Sequence, residues 1–291
     1  VTLQFRNAKI NLGGFTLTGT DTKINAGLNQ IFDTSGSLSG FEIVEAYPQW
    51  FGAIGDGAND DSLAIQSAIN LNPSIVFLSE GTYKASITIE NINTGITIKG
   101  ASTTKSIIEA KDNFTPSISI DYQAFYVTIE SLSVENTDSI NNGSHYGIHS
   151  LGSGVGNGAS GLRIVDVNVK NYNINIKLDE FNSFFLENIK SSGAVEDVLV
   201  PISGSNIYAG HPTIDSVGLY MSNLHLAAGK YGIYLENSEG IQLADTEILL
   251  TSSHSLIHKV TSGTTVGMQF DNCYFDSSGD DSLYLESVEN G

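Results

Sequence analysis

The sequence predicts an all-β solenoid in which strand–bend–strand units stack as a parallel β-helix. Most of the 291 residues alternate between apolar and polar side chains in short runs bounded by Gly, Asn, Ser or Asp, which is typical of many short strands. Six octets share the form apolar-x-apolar, two turn-forming residues, apolar-x-apolar, although the third ends in Ser191 instead of an apolar residue. A unit of this size cannot bury its apolar face alone, so consecutive units are expected to stack. The octets begin at Val127, Leu162, Phe184, Leu219, Ile241 and Met268.

A second type of strand lies between the octets and would complete each coil of the solenoid. The competing fold is a β-sandwich, which would usually show hairpin turns such as Asn-Gly between neighbouring strands. Asn142-Gly143 and Asn157-Gly158 lie outside the octets, which favours the solenoid. The second strand type comprises Tyr146–His149, Tyr172–Ile176, Tyr231–Leu235 and Ser282–Leu285. We expect a lead-in segment at 1–46, a capping region at 47–94 and the parallel β-helix at 95–291.

One segment, Asp60–Leu71, has helical periodicity and predicts a short capping helix. Asp60 or Asp61 would be its N-cap and suit its positive end, and the apolar face would cover the open end of the solenoid. Three aspartates in this region could instead bind a metal or act as acid and base, but capping already explains them. The predicted apolar face consists of Leu63, Ile65, Ala68 and Ile69.

Composition excludes several classes of protein. Lys and Arg total 13 against 32 Asp and Glu, a net charge of −19, which argues against a general nucleic-acid or anionic-membrane binder. No apolar run approaches the roughly 18 residues of a membrane span. The single cysteine, Cys273, excludes an internal disulfide framework and a Cys-rich zinc site.

The stretch Trp50–Ile69, followed by Val76–Tyr83 with its Gly-Thr-Tyr turn, resembles the start of the pectate-lyase-like superfamily. Together with the lead-in, residues 20–100 are similar to bacteriophage tailspikes of that superfamily. The resemblance implies a right-handed parallel β-helix, usually a homotrimer, which binds and often cleaves bacterial surface polysaccharide. It also implies a location in the virion tail or outside the cell. Neither a virion-attachment domain nor a C-terminal trimerisation region is evident, which fits a fragment.

The outward x positions of the octets predict a polar ladder along the solenoid. Stacking coils about 4.8 Å apart would place Lys190, His225 and Glu247 on three successive coils, with Arg163 and other side chains near them. Aromatic rings, amides and a few charges suit a groove for a sugar chain. Glycoside hydrolysis needs two carboxyl groups, and Glu247 could pair with Asp215, Asp245 or Glu236.

We therefore predict a glycoside hydrolase that needs no metal or cofactor. Its predicted catalytic residues are Glu247, His225 and Asp215. The predicted substrate-binding residues are Arg163, Lys190, Tyr220, Glu236 and Tyr274. A polysaccharide lyase is the alternative, in which Lys190, His225 and Tyr220 would hold and deprotonate a uronic acid. A non-catalytic glycan-binding module is also consistent with the sequence, because any outward ladder on an acidic protein contains some Glu, Lys and His.

Overall fold

The computed structural model describes residues 1–6, 8–92, 94–137, 145–154, 158–195, 202–214, 216–261 and 267–287. The chain is almost all β and forms a right-handed parallel β-helix, as the sequence predicts. Every pair of named strands in these ranges is parallel, which excludes the β-sandwich for them.

One helix and twenty-five strands are assigned within the described residues. The helix α1 spans Ser62–Ile69, and a short 3-10 helix precedes it at Pro48–Phe51. The strands are β1 (Thr2–Gln4), β2 (Thr16–Asn25), β3 (Ser37–Phe41), β4 (Glu45–Ala46), β5 (Asp56–Asp60), β6 (Ile75–Leu78), β7 (Gly81–Ala85), β8 (Ile87–Ile89), β9 (Ile96–Gly100), β10 (Ser106–Ala110), β11 (Ile118–Ile120), β12 (Val127–Glu135), β13 (Tyr146–Ser150), β14 (Arg163–Lys170), β15 (Ile174–Leu178), β16 (Asn182–Ser192), β17 (Ser205–Gly210), β18 (Ser216–Ala227), β19 (Tyr231–Glu236), β20 (Ser238–Ala244), β21 (Glu247–Leu249), β22 (Leu256–Val260), β23 (Met268–Asp271), β24 (Tyr274–Asp276) and β25 (Leu283–Ser287).

The coils present three faces. Face A consists of β4, β6, β9, the first parts of β12, β14, β16 and β18, then β20 and β23. Face B consists of β5, β7, β10, the second parts of the same long strands, then β21 and β24. Face C is the eight-stranded sheet from β8 to β25. Strands β1 to β3 form a separate parallel sheet at the N-terminus.

The bend between faces A and B falls at the fifth residue of each octet, where the backbone is left-handed. The φ angles there lie between 48° and 58°. Asn and Asp tolerate this conformation better than other non-glycine residues, and they occupy five of the six positions. Side chains also bond from coil to coil, since Asn223 Nδ2 donates to Asn188 Oδ1 at 3.1 Å. The six residues are Ser131, Asp166, Asn188, Asn223, Asp245 and Asn272.

The core runs along the axis between the three faces. On face C one inward row places an isoleucine or leucine of six successive coils in register, and each side chain is fully buried. Burial of this continuous apolar row stabilises the stack of coils. The row consists of Ile118, Ile148, Ile176, Ile207, Ile233 and Leu256.

Helix α1 covers the N-terminal edge of face C. The side chain of Gln66 bonds to both the N–H and the C=O of Thr88 in the edge strand β8, which satisfies groups that an open edge would expose. Asp61 occupies the predicted N-cap position, but its carboxylate accepts from the N–H groups of Ile54 and Gly55 and from no N–H of the helix. One detail of the prediction is wrong. Leu63 is 71% exposed and lies outside the apolar face.

The parallel sheets extend across the expected boundary at residue 95. Strand β6 pairs with β9 and β7 pairs with β10, so a coil of the β-helix already forms before that residue. The division into 1–46, 47–94 and 95–291 stays a prediction.

Candidate functional site

The register confirms the predicted ladder on face B. Lys190, His225, Glu247 and Tyr274 are direct neighbours on successive coils. His225 Nδ1 lies 2.7 Å from Glu247 Oε2. The two side chains are 49% and 44% exposed, so solvent surrounds the pair.

Face A carries the aromatic part of the predicted ladder. Arg163, Phe185, Tyr220 and Gln242 are also in register on successive coils. The rings of Phe185 and Tyr220 stack with their centroids 4.9 Å apart and their planes 12° apart. The guanidinium of Arg163 lies 5.7 Å from the Phe185 ring centroid. These residues adjoin a cleft of about 170 Å³.

The carboxylates expected to pair with Glu247 are placed differently. Glu236 lies at the end of β19 on face C, not in the ladder of Glu247. Asp245 is a bend residue whose carboxylate accepts from Asn272 Nδ2 at 2.7 Å. Asp215 lies outside the described residues.

Face C carries a second outward row that the sequence reasoning missed. His149, Lys177, Tyr208 and Tyr234 are in register on four successive coils. Tyr208 and Tyr234 belong to a small hydrophobic cluster separate from the main core. The row is therefore outside the solenoid core, yet His149, Tyr208 and Tyr234 are each less than 9% exposed.

An ionic network forms at one end of this row. His149 Nε2 lies 2.8 Å from Asp179 Oδ2, and Lys177 forms an ion pair with the same carboxylate. Lys177 Nζ also lies 3.2 Å from His149 Nε2. The ammonium group is 5.2 Å from the ring centroid of Tyr146 and 5.7 Å from that of Tyr208, within the range of cation–π attraction.

Burial and charge together set the protonation states of this network. Burial alone would raise the pKa of Asp179, but the hydrogen bond with His149 and the charge of Lys177 outweigh it and hold the pKa below its usual value. Burial lowers the pKa of His149 despite its carboxylate partner. At neutral pH the network therefore contains an ionised Asp179 and a neutral His149.

A second carboxylate lies further along face C. The Tyr208 hydroxyl donates to Glu236 Oε2 at 2.8 Å, and burial together with the charge of Glu236 raises the pKa of this phenol. Gly210 is the register partner of Glu236. On the preceding coil, Leu178 pairs with Ala209, so the next residue of that coil, Asp179, is opposite Gly210. Asp179 and Glu236 are thus two coils apart, which separates their backbones by roughly 10 Å.

Gly210 keeps the space between the two carboxylates free of a side chain. Its φ of +129° is a conformation that favours glycine, and a Cβ atom there would lie 1.8 Å from the carbonyl oxygen of Glu236. No other residue fits without moving the backbone. The glycine therefore allows the backbone of the next coil to approach closely, and it adds no side chain to the row between Asp179 and Glu236.

Glu180, next to Asp179, fastens the insertion that follows β13. This side chain is only 3% exposed. Its carboxylate accepts from the Ser153 N–H at 2.8 Å, the Ser153 hydroxyl at 3.0 Å and the Gly154 N–H at 2.6 Å. The start of the insertion is thereby fixed to the coil that carries Glu180.

A signal for face C was present in the sequence. His149 and Tyr234 lie in the second strand type, whose outward positions form a ladder just as those of the octets do. Lys177 lies one residue beyond the segment expected at Tyr172–Ile176, since β15 ends at Leu178. Applying the outward-position rule to this strand type would have found part of the row.

Neither a cluster of metal-binding side chains nor a membrane-spanning helix is present in the described part of the chain. It contains no group of three or more His, Cys, Asp and Glu side chains that could hold a metal ion. It also has no helix of the length and hydrophobicity needed to cross a membrane.

The chain is a three-faced parallel β-helix with ionisable side chains along two of its outer faces. The sequence model of the family "Rhamnogalacturonase A/epimerase, pectate lyase-like" matches residues 49–279. The chain belongs to this family, as the Trp50–Tyr83 motif led us to expect. No curated protein sequence matches the chain significantly.

The chain is similar to several solved structures at low sequence identity. The enzymatically active domain of tailspike protein 2 from bacteriophage CBA120 is 12% identical with a TM-score of 0.53, over 84% of this chain and 46% of that one. The ORF18 protein of Geobacillus virus E2 is 15% identical with a TM-score of 0.40, over 84% and 62%. The A-module of the mannuronan C-5 epimerase AlgE4 from Azotobacter vinelandii is 15% identical with a TM-score of 0.39, over 84% and 96%. This chain spans less than half the length of the tailspike domain.

Proposed function

We propose that this protein binds a bacterial surface polysaccharide, capsule or O-antigen, and cleaves it by glycoside hydrolysis on face C. Membership of a family described as rhamnogalacturonase and epimerase supports a polysaccharide substrate. The shared fold with the enzymatically active domain of a tailspike supports a bacterial surface glycan. The observation that carries the proposal is the pair of carboxylates, Asp179 and Glu236, on either side of Gly210.

The proposed mechanism assigns one role to each carboxylate. Asp179, kept ionised by His149 and Lys177, acts as the base that activates a water molecule. The oxygen of this water attacks the anomeric carbon as the glycosidic bond breaks. Glu236, which accepts a hydrogen bond from the Tyr208 hydroxyl, takes the role of the acid that donates a proton to the leaving oxygen. Inverting hydrolases separate their carboxyl groups by about 6.5–9.5 Å to admit a water, and a two-coil spacing suits that range better than the shorter separation used for retention.

Elimination is the second candidate, and a specific observation favours it. Lys177 and the neutral His149 lie 3.2 Å apart. A lysine could hold the carboxylate of a uronic acid while a neutral imidazole removes the adjacent proton. The products distinguish the two reactions, because hydrolysis yields only new reducing ends and elimination also yields an unsaturated uronate that absorbs in the ultraviolet.

The test is a digest of a panel of purified capsular and O-antigen polysaccharides, with both products measured. We expect Asp179→Asn and Glu236→Gln to lower the rate by about 10²- to 10⁴-fold. Glu80→Gln, an exposed carboxylate paired with Lys105, is the matched control. An unsaturated uronate among the products would replace hydrolysis by elimination. Glycan binding without any cleavage by the parent protein would instead identify a binding module.

The same assay tests the residues predicted from the sequence. If Glu247→Gln or His225→Ala abolishes cleavage while Asp179→Asn does not, the reaction takes place on face B. Asp215→Asn belongs in this set because Asp215 was predicted to be catalytic. The roles of all three residues stay predictions until that comparison is made.

We also propose a homotrimer located in a phage tail or outside the cell. The resemblance of residues 20–100 to tailspikes and the shared fold with one tailspike domain support this assignment. Sedimentation equilibrium should give three times the monomer mass of 31.0 kDa.

A further inference from the structure

Face A contains a cleft that the proposed reaction does not use. It lies in the outward trough of β14, β16, β18 and β20, whereas Asp179 and Glu236 belong to face C. Aromatic side chains form one part of its lining, and polar and aliphatic side chains form the rest. The residues that matter are Arg163, Phe185, Tyr220, Gln242, Ser222 and Glu187.

One aromatic surface is left open in this cleft. Phe185 and Tyr220 are 37% and 36% exposed, high values for large apolar or aromatic side chains. Arg163 stacks on Phe185 at one end of the row. Beyond Tyr220 the next coil contributes only Gln242 and Ala244, neither of which is aromatic. The aromatic stack therefore ends at Tyr220, which lines the cleft together with its register neighbour Gln242.

The polar lining specifies the kind of ligand. Gln242 offers an amide, Ser222 a hydroxyl and Glu187 a carboxylate, all of which can bond to sugar hydroxyls. A volume of about 170 Å³ is below the roughly 300 Å³ at which pockets for drug-sized ligands begin. It suits one ring of a longer chain that continues along the trough. A stable contact with another protein would need about 1,200 Å² or more of buried surface, far more than these few side chains supply.

We infer that face A carries a second saccharide-binding site, in which one sugar ring packs against Tyr220 and bonds to Gln242, Ser222 and Glu187. The site would hold a polysaccharide chain on a different face from the one where cleavage is proposed. This inference rests on the proposed polysaccharide ligand, but it does not depend on cleavage.

The test measures binding in the Asp179→Asn background, so that turnover cannot affect the result. Binding of size-fractionated polysaccharide fragments is followed by isothermal titration calorimetry, and folding is checked by circular dichroism. We expect Tyr220→Ala to weaken binding by about tenfold, the order of magnitude of a lost aromatic contact. Tyr220→Phe, which keeps the ring, should retain the parent affinity. Phe114→Ala removes an aromatic side chain that is 72% exposed and outside the cleft, and it should leave binding unchanged.

Two results would overturn the inference. Equal affinities for Tyr220→Ala and the parent would show that the cleft binds no sugar. A change in sedimentation with Tyr220→Ala would assign the cleft to contact between copies of the chain. Failure of the proposed hydrolysis would give a different result. The unsubstituted protein would then cleave no polysaccharide, but it would still bind the fragments, and Tyr220→Ala would still weaken that binding.

Discussion

Two histidine–carboxylate pairs lie on different faces of the β-helix and have nearly equal nitrogen–oxygen distances. On face C, His149 and Asp179 are 2.8 Å apart, and their side chains are 10% and 16% exposed. On face B, His225 and Glu247 are 2.7 Å apart, and their side chains are 49% and 44% exposed. Contact geometry alone does not distinguish them. The difference lies in what surrounds each pair, because burial from water strengthens the electrostatic interactions between ionisable groups.

The face C pair lies beside a small hydrophobic cluster on the outer side of the solenoid. Ile174, Tyr208, Tyr234 and Ile257 form a buried cluster there, with Tyr146 packed against it. Lys177 is the cation enclosed beside the pair. Removal from water strengthens every charge interaction in the network and makes an unpaired charge costly. The face B pair lacks this enclosure, and salt and water screen it.

The largest expected effect comes from removing the enclosed cation. Lys177→Met leaves the buried Asp179 carboxylate without its ion pair, and breaking a buried pair costs about 3–5 kcal/mol. Lys190→Met on face B is the matched control and should change the free energy of unfolding by no more than about 0.5 kcal/mol. Urea denaturation of both variants measures the difference. Equal losses in the two variants would show that enclosure does not distinguish the faces.

The sequence was most informative where the strands keep one side in solvent. The octets alternate cleanly, and the turn-forming residue at position five marks each bend, so the ladder from Lys190 to Tyr274 could be placed in register. On face C, β17 is buried at every position from Ser205 to Gly210, and such a strand shows no alternation. Its outward Tyr208 was therefore not recognised.

Corner insertions also limit what the sequence predicts. Glu180 reaches back to Ser153 and Gly154 across an insertion of unequal length, and no repeat spacing contains that contact. Glu236 was predicted as a substrate-binding residue and a possible partner of Glu247, but the register of the second strand type places it on face C. Asp179 follows the end of β15, and from the sequence alone such a carboxylate is interpreted as a turn or rim residue.

A third histidine extends the comparison to a buried side chain with no carboxylate partner. His258 is 5% exposed, and its Nε2 has no hydrogen-bond partner among the described residues. Burial lowers its pKa, as it does for His149. Each group then binds a proton more readily in the unfolded chain, so stability is greatest above the ordinary histidine pKa of about 6.5 and falls as the pH drops below it.

The substitution His258→Leu tests how much the buried, unpaired Nε2 atom destabilises the protein. We expect the variant to gain about 1–3 kcal/mol at neutral pH, because the unsatisfied Nε2 is removed. Its loss of stability on acidification should also be less steep, by up to about 1.4 kcal/mol per pH unit for one proton. Denaturation curves between pH 5 and pH 8 measure both quantities. An unchanged slope would show that His258 does not contribute to the acid sensitivity.

The smallest expected effect concerns the exposed pair itself. A double-mutant cycle with His225→Gln and Glu247→Gln should give a coupling energy of at most about 1 kcal/mol, because ordering two solvated side chains offsets most of their attraction. That coupling should fall further when the ionic strength is raised, since solvent-exposed charges are screened. A coupling of several kcal/mol that resists salt would mean that another part of the assembled protein covers face B. In that case both pairs would be shielded from solvent, and the face B ladder predicted from the sequence would again be a candidate for the catalytic site.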